Sequence, residues 1–267
     1  MNQKMGNAPV YFTIAQVKFN TLWTLDSYAP AIQESMRKVG YPDARKSFLS
    51  TFNLTPVNLP PVGSEPGSQQ VPVAQNTRYI FANIDATAGF VLDQGALSFQ
   101  ATDYDVFETF SATFLKGLEI VHAAVGLSYS ERVGVRYLDA VFPRDGETLA
   151  QYLDSSVLGL VGKLEGELVH SFSETLTKTA VGNVISRAII EQGRIGFPPD
   201  LQPMWLKVPE RFLPLLGLHA TIDTDGSHEQ REPFDIGNLK DRLNAIHDEI
   251  GKSFKATVTK HALSVWK

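Results

Sequence analysis

A chain of 267 residues with 24 basic and 29 acidic side chains, net charge −5, lacks the basic surplus that a generic nucleic-acid binder uses to neutralise phosphates. It contains no cysteine, which excludes disulfides, thiolate catalysis and cysteine-ligated zinc. At 43% hydrophobic residues a full core is within reach, no apolar run approaches the roughly 20 residues that span a bilayer, and the opening residues are polar, so a cytoplasmic protein without a membrane partner is expected.

Val10 to Phe19 reads as a strand with apolar residues on both parities, the mark of a strand covered on both faces. Asp26 or Ser27 is placed to cap a helix that accepts Pro30 in its first turn and turns Ile32, Met36 and Val39 inward. Gly40-Tyr41-Pro42-Asp43 stops it. From 53 to 76, Pro56, Pro60, Pro61, Gly63, Pro66, Gly67 and Pro72 interrupt a polar stretch, which predicts a poorly ordered excursion.

Tyr79 to Ile84 alternates as a strand, and Phe90 to Asp93 turns through Gln94-Gly95 onto a strand from Ala96 to Asp103. Asp105 and Glu108 then have the spacing of a capping box. Phe107, Phe110, Phe114, Leu118, Val121 and Val125 follow at steps of three and four, one stripe of a helix that Gly126 ends. Burying that stripe is worth on the order of 10 kcal/mol as an upper estimate. Beyond it, Val133, Val135 and Tyr137 alternate with Arg132, Gly134 and Arg136 in a strand with one dry and one polar face.

The Arg144-Asp145-Gly146 turn leads into a short helix over Glu147 to Leu153, and Leu168 to Thr179 with Val184 to Gln192 forms a hairpin. Residues 194–217 carry five prolines among Phe197, Met204, Trp205, Leu206 and Phe212, so the segment either folds back on the core or forms a contact patch. Phe197, Met204, Trp205 and Phe212 are the candidate partner-contact residues. Leu218, Ala220 and Ile222 make a last strand ending at Asp223 and Asp225. Asp235 caps a helix carrying Ile236, Leu239, Leu243, Ile246, Ile250 and Phe254, whose spacing continues through Val258, His261 and Val265 as one helix or two.

This order predicts an α+β fold: a largely antiparallel sheet with long amphipathic helices packed on one face. The halves 1–143 and 144–267 are two α+β units or one continuous domain. A strand running into Asp-x-Asp and then a helix occurs twice, at 97–105 and 218–225, which suggests a duplicated strand-helix unit without establishing it.

No P-loop, dinucleotide glycine fingerprint, His-Glu-x-x-His or nucleophile elbow is present, and the six histidines lack zinc-ligand spacing. No catalytic residue, metal ligand or cofactor is assigned. Asp103/Asp105 and Asp223/Asp225 would hold Mg²⁺ only if their loops met, and capping and turn formation is the simpler reading of both pairs. Arg132 and Arg136, on one strand face with Gly134 between them, are the candidate ligand-binding residues. Two guanidinium groups there clamp a phosphate or carboxylate, unless they pair with acids across the sheet.

Three stretches together carry a resemblance: Asn7-Ala-Pro-Val-Tyr-Phe-Thr-Ile-Ala-Gln-Val-Lys-Phe19, Glu131-Arg-Val-Gly-Val-Arg-Tyr-Leu138, and Ile246-His-Asp-Glu-Ile-Gly-Lys-Ser-Phe254 running on to Trp266. The chain resembles a sporadically distributed family of uncharacterised prokaryotic proteins of this length. The resemblance spans the whole chain and implies an accessory, defence-related gene, with no catalytic residues to carry over. The expected function is a non-catalytic binding or assembly protein, acting on a protein partner or by homodimerisation. The alternative is an enzyme or sensor that binds a nucleotide or other anion through Arg132 and Arg136.

Overall fold

The computed structural model describes residues 6–52, 73–201, 203 and 205–267. The excursion over 53–72 and the contact candidate Met204 lie outside the described residues; Val73 to Asn76, expected to belong to that excursion, are strand.

In chain order the elements are β1 (Val10–Phe19), α1 (Leu25–Lys38), β2 (Asp43–Phe52), β3 (Val73–Ala82), β4 (Ala88–Leu92), β5 (Ala96–Ala101), α2 (Phe107–Val125) and β6 (Tyr129–Val141). Then come α3 (Leu149–Tyr152), α4 (Ser155–Leu158), β7 (His170–Lys178), β8 (Asn183–Gly193), β9 (Gly217–Pro233), α5 (Ile236–Thr257) and α6 (Lys260–Val265). Among the described residues nine strands form one sheet in the order β2-β3-β4-β5-β1-β6-β9-β8-β7, and each of its ladders is antiparallel. The sheet continues across residue 143, because β6 pairs with β1 on one side and β9 on the other. Among the described residues no helix is long and apolar enough to cross a membrane.

Strand alternation divides the sheet into two faces. Ala15, Val17 and Phe19 of β1, Leu97 and Phe99 of β5, and Val133, Val135 and Tyr137 of β6 look toward the helices. There they meet Ile32 and Met36 of α1, the Phe107–Phe110–Phe114–Leu118–Val121 stripe of α2, and Leu239, Leu243, Ile246 and Ile250 of α5. Two glycines set how closely helix and sheet approach. A Cβ on Gly117 of α2 would lie 2.2 Å from the Phe90 ring, and one on Gly226 of β9 would lie 2.7 Å from Ile246.

Several expectations are corrected. The helices are not uniformly long: α3, α4 and α6 have four, four and six residues, against 19 in α2 and 22 in α5. Helix α2 begins at Phe107 after an extended Val106 that makes no side-chain cap, so Asp105 and Glu108 are one residue too early to form the capping box. Thr24, not Asp26 or Ser27, precedes α1, and Asp26 instead binds Lys46 and Tyr79. Strand β9 runs 17 residues and carries Asp223 and Asp225 inside it, so the Asp-x-Asp turn does not recur. The polar residues from Asp43 onward form β2, an edge strand the sequence hid behind charge. Of the two forms open to the C-terminal pattern, the chain takes two helices: α5 ends before Val258, where an extended backbone bridges to Leu153, and Thr259 caps α6 through Ala262 N.

The other face is covered in part by the proline-rich segment. Leu206 and Phe212 pack against Tyr11, Phe12, Leu138 and Ala140, and Phe197 makes edge contacts with Tyr11 and Phe12. The Tyr11 hydroxyl donates to Gly196 O at 2.7 Å, tying this strap to the sheet.

Candidate functional site

Below the strap the sheet face is open, and its register decides which side chains line it. On β1 they are Ile14, Gln16 and Lys18; on β5, Ser98 and Gln100 stand opposite Gln16 and Ile14. On β6, Arg132, Gly134 and Arg136 stand opposite Lys18, Gln16 and Ile14. The outcome is a groove with two lobes that share Ile14, Gln16, Asp200 and Leu201. The larger lobe, about 750 Å³, reaches Arg45 and Arg78; the smaller, about 410 Å³, contains Lys18, Arg132, Arg136 and Asp225.

Arg132 and Arg136 share this face, as their spacing predicts, yet they do different work. Arg136 gives Nε and Nη2 to the two oxygens of Asp223, both at 2.7 Å, and its outer edge to Asp200 of the strap. Burial opposes its charge, but these two carboxylates outweigh burial and raise its pKa. The same contact holds Asp200 below the usual carboxylate range. Its fork is therefore filled.

Arg132 is held loosely. Its nearest carboxylates are Glu229 at 3.4 Å and Asp225 at 3.7 Å, and Gln16 Oε1 lies 3.5 Å away. Its guanidinium lies over Gly134, where a Cβ would sit 2.9 Å from Nη1. Burial raises the Asp225 carboxyl, with Arg132 pulling the other way. Lys18 projects beside Arg132 into solvent and makes no ion pair among the described residues. Gln100 Oε1 is buried in the larger lobe without a hydrogen-bond partner among the described residues.

Of the aromatic contact candidates Phe212 is buried, whereas Phe197 and Trp205 are half-buried. Phe212 is 6% exposed, Phe197 sits on Tyr11 and Phe12, and Trp205 roofs the larger lobe with its ring against Gly89. The two Asp pairs do not meet. Asp103 accepts from Thr87 and Asp105 lines the helix side, whereas Asp223 and Asp225 serve the arginines of the open face. Among the described residues no group of three or more His, Asp or Glu side chains is arranged to hold a metal.

No family model matches this chain, and no curated protein matches its sequence. The site is read from its own geometry. Sequence reasoning missed Lys18, whose signal was a charge two residues after Gln16 at the end of an otherwise apolar strand. It also missed Gln100, which nothing local distinguishes from other strand glutamines.

Proposed function

We propose that the protein is a non-catalytic binding protein whose open sheet face holds a nucleotide or a similar anion, anchored by Lys18 and Arg132. The observation that carries this reading is the register pair Lys18–Arg132, two cations side by side with no carboxylate among the described residues closer than 3.4 Å to the guanidinium. Arg136 is not an anchor here, because Asp223 and Asp200 occupy its donors. Arg132 offers a planar fork to phosphate oxygens and Lys18 a movable point charge. Gln16, Ser98 and Gln100 supply hydrogen bonds along the groove for the uncharged part of such a ligand.

Calorimetric titration of ATP at low salt tests the reading. Hydrogen bonds to charged groups are worth about 1.5–3 kcal/mol, so replacing Lys18 and Arg132 together by alanine should weaken binding by more than about tenfold. An unchanged affinity in that variant, or no ATP binding by the native chain, ends the proposal.

A second observation favours self-association as well. Strand β7 is a sheet edge, and Phe172 and Leu176 on its open-face parity are 53% and 64% exposed. Monomeric sheets blunt such edges, since unpaired backbone groups recruit another strand. Pairing of β7 with β7 of a second copy gives a homodimer. Sedimentation should report a dimer that Phe172→Lys with Leu176→Lys converts to monomer; a native monomer at every concentration rejects it. The order strand, helix, antiparallel strands, helix in both halves (β1 to α2, β6 to α5) supports a duplicated unit as the origin of the sheet.

A further inference from the structure

The helix side of the sheet holds a separate open cleft of about 330 Å³, bordered by the start of β1, β6, β9, the approach to α2, α5 and the C-terminal residues Leu263 and Lys267. Its walls are mostly apolar, with Val10, Tyr104, Ile250, Phe254 and Leu263 among them. Two polar groups converge on it from the sheet. Asp139 of β6 is 7% exposed, and its carboxylate makes no hydrogen bond or ion pair among the described residues. Thr224 of β9 is 1% exposed, and its Oγ1 has no hydrogen-bond partner among the described residues. A buried carboxylate without a partner is costly, and one that faces a cleft beside an orphaned hydroxyl marks a place where a ligand completes the hydrogen bonds.

We propose that this cleft binds a small aromatic amidine or guanidine, its paired N–H groups on the Asp139 carboxylate and its apolar body against Tyr104 and Phe254. A carboxylate accepts two parallel N–H bonds from such a group, as it does from arginine. An apolar cleft with a few convergent polar groups is the usual form of a small-molecule site. The neighbouring polar groups leave Asp139 to the ligand. Tyr137, two residues before it on the same face, places its hydroxyl 3.0 Å from His247 Nδ1 and 3.4 Å from the Tyr104 hydroxyl.

Charge at the site comes from several elements. Asp139 faces Tyr137 on its own strand, Tyr104 and Asp105 ahead of α2, His247 and Lys255 on α5, and Lys267 at the rim, with Asp223 of β9 behind the sheet. Burial, and then the Asp223 charge, push the Asp139 carboxyl up to about 7. Burial lowers the His247 pKa, so its ring stays neutral near pH 7 and does not repel a cation. An amidinium binds the ionised carboxylate, so affinity rises as pH rises through neutrality.

Benzamidine, cationic throughout the range used, is the probe for calorimetry on the intact chain. We expect saturable one-to-one binding at pH 8.5 and about thirtyfold weaker binding at pH 5.5, from a carboxyl that titrates at about 7. Asp139→Asn, which keeps the shape and removes the charge, should abolish binding, and Thr224→Val should weaken it severalfold. No saturation at about 20 mM benzamidine, an affinity independent of pH in the native chain, or native affinity in Asp139→Asn would each overturn the proposal. None of these outcomes depends on the open face, where ATP is the probe.

Discussion

Arg136 and Asp223 meet as a two-point ion pair across the β6–β9 ladder, with Nε to Oδ1 and Nη2 to Oδ2 both at 2.7 Å. Asp223 is fully buried and also takes a contact from Arg187 Nη1 at 3.3 Å. Replacing one partner leaves the other charged and out of water, which costs about 3–5 kcal/mol. Asp223→Ala should therefore lower the thermal midpoint by on the order of 10 °C, while Arg136→Met with Asp223→Leu recovers most of the loss. Calorimetric melting of the single and double variants checks both.

Asp139 makes the stability of the fold depend on pH. Its carboxyl is raised from 3.8 to about 7 by burial, so the fold holds a proton that the unfolded chain releases. The stability this confers is present in full below pH 3.8, falls as pH rises through about 7, and is gone above that. Urea unfolding of native protein and Asp139→Asn should show the variant gaining on the native chain at pH 8.5 relative to pH 5. Equal differences at the two pH values would mean that the carboxyl titrates normally.

Gly117 tests the spacing between α2 and the sheet. In an exposed helix interior Gly→Ala gains about 1 kcal/mol. Here the new methyl would lie 2.2 Å from the Phe90 ring, so overpacking decides the sign and the change should cost about 1–3 kcal/mol net. Adding Phe90→Leu should restore part of it. Denaturant midpoints at constant m report the result.

Asp200 links the strap to the open face. Its side chain is 65% exposed, so Asp200→Asn should change stability by less than about 1 kcal/mol. The same change removes a negative charge from both lobes and frees the outer edge of Arg136. ATP affinity, measured by the same titration as for Lys18 and Arg132, should rise severalfold.

What could be read from the chain follows from how local each signal is. The α2 stripe, the Gln94-Gly95 turn, the Gly126 stop and the Asp235 cap are all fixed by neighbours within a few residues, and each stands where the pattern put it. Strand β2 and the outer half of β9 were hidden because their polar residues are held by ladder partners distant in sequence. The same limit applied to Arg132 and Arg136. Spacing placed both on one face, but the acids that fill Arg136 come from residues 200 and 223. Asp139 did leave a trace: an acid that follows Val133, Val135 and Tyr137 and precedes Val141 on the dry parity of its strand.

Strand β1 is complete by residue 19, and its β6 partner begins only at residue 129. At roughly 5–20 residues per second of synthesis, its second edge waits on the order of 5–20 s for a mate. Meanwhile the first five strands can already close around α2, since β1 pairs with β5. A nascent chain at that stage offers a bare, half-apolar border to anything nearby. Chaperone capture on the ribosome, or mispairing between adjacent nascent copies, is the vulnerability that this strand order carries.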